Sequence, residues 1–275
     1  MSVDMKLKTI GYEDYDAQEI AKNVYKINEY NLTTAFLIVG EKRAVTIDCG
    51  TGVGDYLAFV RKITDLPLTL LVSHAHVDHI GGRAQFEEMY LSKDDEPIIK
   101  DVTTSSRKGY VFLMKFLGFK VRKNNYLEYR KVEKEPAVRY LSEGDVIDLG
   151  GKTLKVFETP AHTKGSLSFL LVEDRILFSG DVVNPQCLMF LKHATTLEEM
   201  KATYEKIEKI EGYDVMWASH LSEPITKETF ENGKKAIDKA IKRGNRLLPW
   251  IAFVDYDGYT IIHLANKRKM RKKKV

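Results

Sequence analysis

The chain has 275 residues, 44% hydrophobic and 30% charged, with a formal net charge of +4. That length supports a substantial core, the balance is that of a soluble globular protein, and no run of about 18 apolar residues is present to span a bilayer. Cys49 and Cys187 alone make no disulfide framework, and Met1 to Lys6 lack the apolar core of a signal peptide, so the cytoplasm is the expected compartment.

The charge is unevenly spread. Lys267 to Val275 carry seven positive charges and no negative one, while the rest holds 36 basic against 39 acidic residues. The expectation is a single, mildly acidic domain over 1–266, with an insert at 91–136 and a solvated basic tail at 267–275. Nucleic acid is not an expected partner.

Residues 1–23 are polar and weakly patterned. From Val24 the chain reads as strands: Val24 to Ile27, Thr34 to Val39, and, after a Gly40-Glu41-Lys42 turn, Arg43 to Asp48. Cys49-Gly50-Thr51-Gly52 breaks the last strand and a helix is expected over Asp55 to Ile63. Asp48, at the strand end, has two readings: an aspartate that orients a metal-bound imidazole, or a turn cap. Cys49 reads as a small buried residue.

The apolar run Leu68 to Val72 then delivers Ser73-His74-Ala75-His76-Val77-Asp78-His79-Ile80-Gly81-Gly82. Three of the chain's seven histidines fall within six positions beside an aspartate. A lone histidine is usually an ordinary core or surface residue, but this clustering is not. Imidazole and carboxylate suit zinc, manganese and ferrous iron. His74 and His76, two apart, lean toward one ion, and Asp78 and His79 toward another. The stretch points to a site for two metals, with Gly81 and Gly82 allowing close backbone passage as a helix begins.

A helix is expected over Arg83 to Tyr90. Within the insert, Tyr110 to Val121 is too continuously apolar for a solvated face, so it reads as core helix, dimer contact or a lid over an apolar substrate. Strands resume at Val146 to Leu149 and Thr153 to Glu158 around Gly150-Gly151, a strong hairpin signal. Strands Leu167 to Val172 and Ile176 to Ser179 follow, placing His162 and Asp181 in loops at strand ends. Thr196 to Ile210 is amphipathic, with Leu197, Met200, Tyr204 and Ile207 on one face. Val215 to Ala218 is a strand ending at His220. A helix from Pro224 to Arg246 and a hairpin of Trp250 to Val254 with Tyr259 to Leu264 close the chain.

The series His74-x-His76-x-Asp78-His79, His162, Asp181 and His220 resembles the metallo-β-lactamase fold superfamily. So do the local sequences Thr159-Pro160-Ala161-His162-Thr163-Lys164-Gly165-Ser166 and Phe178-Ser179-Gly180-Asp181. The resemblance covers roughly residues 24–220 and implies an α/β fold, a four-layer αββα sandwich of two mixed sheets with helices outside. It implies His74, His76 and His162 on one metal, Asp78, His79 and His220 on a second, and Asp181 bridging. Two divalent ions of this kind, zinc first with manganese or iron also acceptable, share a water and lower its pKa enough to give hydroxide near neutrality. Asp78 is then placed to orient the nucleophile or pass a proton to the leaving group.

Departures narrow the choice. Class B β-lactamases lack an aspartate in the Asp181 role, and Cys187 falls six residues late for the cysteine that the commonest use. Flavodiiron proteins replace the residue at His76 with Glu. The ligand set is most similar to those of hydroxyacylglutathione hydrolases (glyoxalase II) and N-acyl-homoserine lactonases. The implied activity is hydrolysis of an ester, thioester or lactone on a small-molecule substrate, and the apolar, aromatic insert near 110–129 favours one with an acyl or otherwise hydrophobic part. Alternatives are phosphodiester hydrolysis and, from another class, a mononuclear iron persulfide dioxygenase-like oxidoreductase.

Overall fold

The computed structural model describes residues 9–11, 15–116, 134–243 and 251–264, which cluster into two compact units: 1–141 with 146–154, and 142–145 with 155–275. Residues 267–275, expected as the basic tail, lie outside the described residues, as does the end of the apolar run from residue 117.

In the first unit an eight-stranded sheet runs in chain order: β1 (Thr9–Gly11), β2 (Tyr15–Ala21), β3 (Val24–Glu29), β4 (Thr33–Val39), β5 (Ala44–Ile47), β6 (Leu68–Leu71), β7 (Glu88–Leu91) and β8 (Ala137–Tyr140). The first five are antiparallel and β5 to β8 are parallel. The parallel steps need crossovers, and these supply α1 (Tyr56–Val60) and α2 (Val77–Ile80). Asp55 caps α1 by accepting from the Ala58 amide at 3.0 Å. Tyr56, Phe59 and Val60 join Leu37, Leu70, Val72 and Met89 in the core.

Two expectations fail here. Residues 15–21, within a stretch read as polar and weakly patterned ahead of the first strand, form β2, where Tyr15 and Ala17 alternate inward around exposed Asp16. The helix expected over Arg83 to Tyr90 is one 3₁₀ turn (Arg83–Gln85) followed by β7. Met89 and Leu91 are buried two apart, and pairing on both sides with β6 and β8 outweighs any local helical preference.

The insert contains a 3₁₀ turn (Lys93–Asp95), α3 (Glu96–Ile99) and α4 (Thr104–Phe116). α4 is anchored on one face by fully buried Arg107 and Val111. Its opposite face presents Phe112 (73% exposed), Leu113 (50%) and Phe116 (81%) to the surface. Tyr110 to Phe116 is therefore helix, and core is right for one face of it only.

The second unit's strands are β10 (Thr153–Glu158), β11 (Leu167–Leu171), β12 (Ile176–Phe178), β13 (Gln186–Met189), β14 (Val215–Trp217), β15 (Ile251–Tyr256) and β16 (Tyr259–Leu264). One sheet has the order β14-β12-β11-β10 and a second has β13-β16-β15, while β9 (Val146–Asp148) belongs to the first unit. Strand β13 was not legible in the sequence. It pairs in parallel with β16, more than 70 positions later.

Helices α5 (Leu197–Ile207) and α6 (Lys227–Arg243) pack in this unit. α5 begins with a reciprocal Thr196–Glu199 capping box and buries Met200, Tyr204 and Ile207, as its periodicity predicts. Tyr204 stacks on Phe230 of α6 at 5.1 Å and its hydroxyl meets that of Tyr259. No helix among the described residues is long and apolar enough to cross a membrane.

Candidate metal centre

The first unit holds four of the seven predicted ligands, all at the carboxyl end of β6. Past Val72 the chain turns, and His76 occupies the N-cap position of α2 with extended backbone. This places Asp78 and His79 in the first helical turn, with the amides of His79 and Ile80 both donating to the His76 carbonyl at 3.0 Å. The rings of His74 and His76 lie 4.8 Å apart, and those of His74 and His79 3.9 Å. His79 Nε2 is 3.7 Å from Asp78 Oδ2. His74, Asp78 and His79 are buried.

Long-range hydrogen bonds hold this cluster in place. Asp48, in the left-handed region at φ 65°, accepts from the Ser73 amide (2.8 Å) and hydroxyl (2.6 Å), and its Oδ2 is 2.8 Å from His79 Nδ1. Of its two sequence readings, it is the one that orients an imidazole. Buried Asp95 accepts from the Ala75 amide at 2.9 Å. Arg107 donates to the Gly81 carbonyl at 3.0 Å, and the Tyr110 hydroxyl donates to Asp78 Oδ2 at 2.9 Å.

Gly81 is required by space, since a Cβ there would sit 2.2 Å from the Thr51 carbonyl oxygen. The Thr51 amide in turn donates to Glu29 Oε2 at 2.6 Å. Burial pushes the Glu29 carboxyl up to about 7, against the lowering effect of its hydrogen bonds from Thr51 and Tyr15. Burial also raises both cysteine thiols, Cys49 and Cys187, which keeps them protonated and unreactive.

The second unit holds His162, Asp181 and His220. Parallel pairing of β12 with β14 sets Phe178 opposite Trp217, so both chains leave the sheet together and Asp181 and His220 emerge side by side. His220 Nε2 lies 3.1 Å from Asp181 Oδ2. His162 comes from the loop after β10, whose turn is closed by the Thr163 amide donating to Ser166 Oγ at 3.1 Å. Its Nε2 is 3.8 Å from Asp181 Oδ2, and its Nδ1 is 3.0 Å from the Leu188 carbonyl on β13. The strand missed in the sequence thus anchors a predicted ligand.

Each unit therefore presents histidine and aspartate donors of the kind that hold a metal ion. The donor chemistry fits the group: His79 and His162 each give Nδ1 to an oxygen acceptor and turn Nε2 toward a carboxylate, the arrangement that fixes a metal-ligating imidazole. Sequence reasoning gave Asp95 and Arg107 no role in the site and saw Tyr110 only as part of an apolar run. Arg107 and Tyr110 sit three apart on one helical face, which was the available signal.

Residues 30–220 match the Metallo-beta-lactamase superfamily. The chicken (Gallus gallus) acyl-coenzyme A thioesterase MBLAC2 is 29% identical over 176 residues, 56% of this chain and 58% of that protein. A hydroxyacylglutathione hydrolase of Rhodopseudomonas palustris is 31% identical over 122 residues, 44% of this chain and 34% of that protein. The chain thus spans less than two-thirds of either relative's length. Among solved structures, a metallo-β-lactamase family protein of Thermus thermophilus, TTHA1429, superposes with a TM-score of 0.57 at 17% identity, covering 82% of each chain. The chain belongs to the metallo-β-lactamase superfamily, and its α/β fold is that of the superfamily. The two relatives compared carry the names of a thioesterase and a hydrolase.

Proposed function

We propose that this protein is a dinuclear metallohydrolase that cleaves thioesters. The observation that carries the reading is the likeness to two proteins, named for an acyl-coenzyme A and an acylglutathione, whose substrates share an acyl carbon bonded to sulfur. In this reading His74, His76 and His162 hold one divalent ion, Asp78, His79 and His220 a second, and Asp181 serves both. Zinc is the first expectation, with manganese or iron compatible with the same ligands. When bound, the ions supply activation of water and polarisation of the acyl oxygen.

The chain's own residues orient and carry the proton. The Asp48 carboxylate and the Leu188 carbonyl hold the His79 and His162 rings by Nδ1. Asp78 takes a proton from the attacking water and returns it to the departing sulfur as the C–S bond breaks and the C–O bond forms. A small molecule with an apolar acyl part is the proposed substrate, and the exposed apolar face of α4 leaves a homodimer open to test.

The test is metal content by mass spectrometry on protein purified without added metal or chelator, followed by a substrate panel. About two zinc, manganese or iron ions per chain, with acyl-thioester hydrolysis lost in Asp78→Asn, would support the reading. One iron per chain, with oxygen consumed on a persulfide, would replace it with the oxidoreductase alternative. Faster cleavage of phosphodiesters than of matched thioesters would change the substrate class. No metal bound even on titration would overturn the site assignment.

A further inference from the structure

We infer that Tyr110 is a positioning residue for the second metal, acting through Asp78, so that α4 is part of the metal-binding apparatus rather than a peripheral insert. The inference rests on the dinuclear reading above and adds a residue to it.

The phenol oxygen of Tyr110 donates to Asp78 Oδ2 at 2.9 Å. That same carboxylate oxygen faces His79 Nε2 at 3.7 Å, so it is the oxygen turned toward the neighbouring donor. An aspartate on the first turn of a four-residue helix has two rotatable side-chain bonds. A donor on one oxygen removes the freedom of the second and selects which oxygen meets an ion.

The donor is itself held rigidly. The Tyr110 ring packs against the buried cluster of Leu32, Val53 and Val111. One turn earlier, the Arg107 guanidinium, 1% exposed, donates to the carbonyls of Gly81 (3.0 Å) and Gly52 (3.5 Å) and to Thr104 Oγ1 (3.2 Å). Gly81 ends the short helix that carries Asp78. Arg107 therefore grips the C-terminal end of α2 while Tyr110 grips its acidic side chain, and the two sit three residues apart on one face of α4. A preorganised partner of this kind to a ligating carboxylate typically governs metal affinity by about 10- to 100-fold.

The experiment is Tyr110→Phe, which removes one oxygen atom, with zinc as the probe and a chromophoric chelator as competitor. The expected result is a second-ion affinity reduced about 10- to 100-fold, a first-ion affinity unchanged, and a metal-free melting temperature close to wild type. Val60→Ala, at a buried core position of α1, calibrates a purely structural change: it lowers the melting temperature and leaves the ratio of the two affinities alone. Both affinities unchanged in Tyr110→Phe, or both reduced together with the melting temperature, would overturn the inference. Wild-type protein that binds a single zinc ion would overturn the dinuclear reading and this inference with it.

Discussion

Asp48 Oδ2 lies 2.8 Å from His79 Nδ1, and the same oxygen accepts the Ser73 hydroxyl at 2.6 Å. One carboxylate thus joins the end of β5 to the end of β6 and presents only acceptor capacity to the imidazole. An imidazole that donates its Nδ1 proton to this carboxylate keeps a lone pair on Nε2, which is turned toward Asp78.

Asp48→Asn preserves shape but can place an N–H₂ donor where His79 needs an acceptor. The ring is then driven toward the other tautomer, with Nε2 protonated and unable to bind a cation. Zinc affinity is expected to fall about 10- to 100-fold, measured by chelator competition. Unchanged affinity would show that His79 needs no such anchor.

Glu29 makes stability depend on pH. Burial disfavours the charge and pushes its carboxyl up to about 7 in the folded chain, well above the ordinary glutamate range that it regains on unfolding. Between the two the unfolded chain has lost the proton and the folded chain keeps it, so this group's contribution to stability falls as pH rises through the window and levels off above it. The full effect is roughly 3 kcal/mol. Denaturant unfolding at pH 5, 6, 7 and 8 is expected to show a steeper decline for wild type than for Glu29→Gln. Parallel profiles would assign the slope to other groups.

Two glycines separate steric need from conformational cost. Gly81→Ala places a Cβ 2.2 Å from the Thr51 carbonyl oxygen and 2.6 Å from that of Val77, both backbone atoms, and is expected to cost about 3 kcal/mol. Gly109→Ala, within α4 and with nothing within 4 Å of the added carbon, is expected to stabilise by roughly 0.5–1 kcal/mol. Thermal melts of the two variants should move in opposite directions, and a shared direction would contradict the spacing.

Phe112 and Phe116 lie on the exposed face of α4. Replacing both with serine is expected to change unfolding free energy by no more than about 0.5 kcal/mol per site. A loss of several kcal/mol would mean that this face is covered in solution. Sedimentation of both proteins would then tell whether a second copy is the cover.

Much of this protein was legible in the chain itself. Alternating and continuous apolar runs marked β3 to β6 and β10 to β12, because strand periodicity and turn chemistry are written within a few residues. The spacing of Leu197, Met200, Tyr204 and Ile207 announced α5 by the same local logic. The cluster at 74–79 stood out because donors on one short loop must be neighbours in sequence, and His162, Asp181 and His220 because they follow strand-like runs.

What tertiary structure decided is everything that depends on which strand lies beside which. β7 is a strand because β6 and β8 flank it, and β13 because β16 returns to it. The partners of the candidate ligands come from 25 or more positions away: Asp48 for Ser73 and His79, Leu188 for His162, Tyr110 for Asp78. A hydrogen bond across such a distance is set by sheet register and helix packing, and no residue pattern within either segment encodes it. The donor types were local information, and their orientation was not.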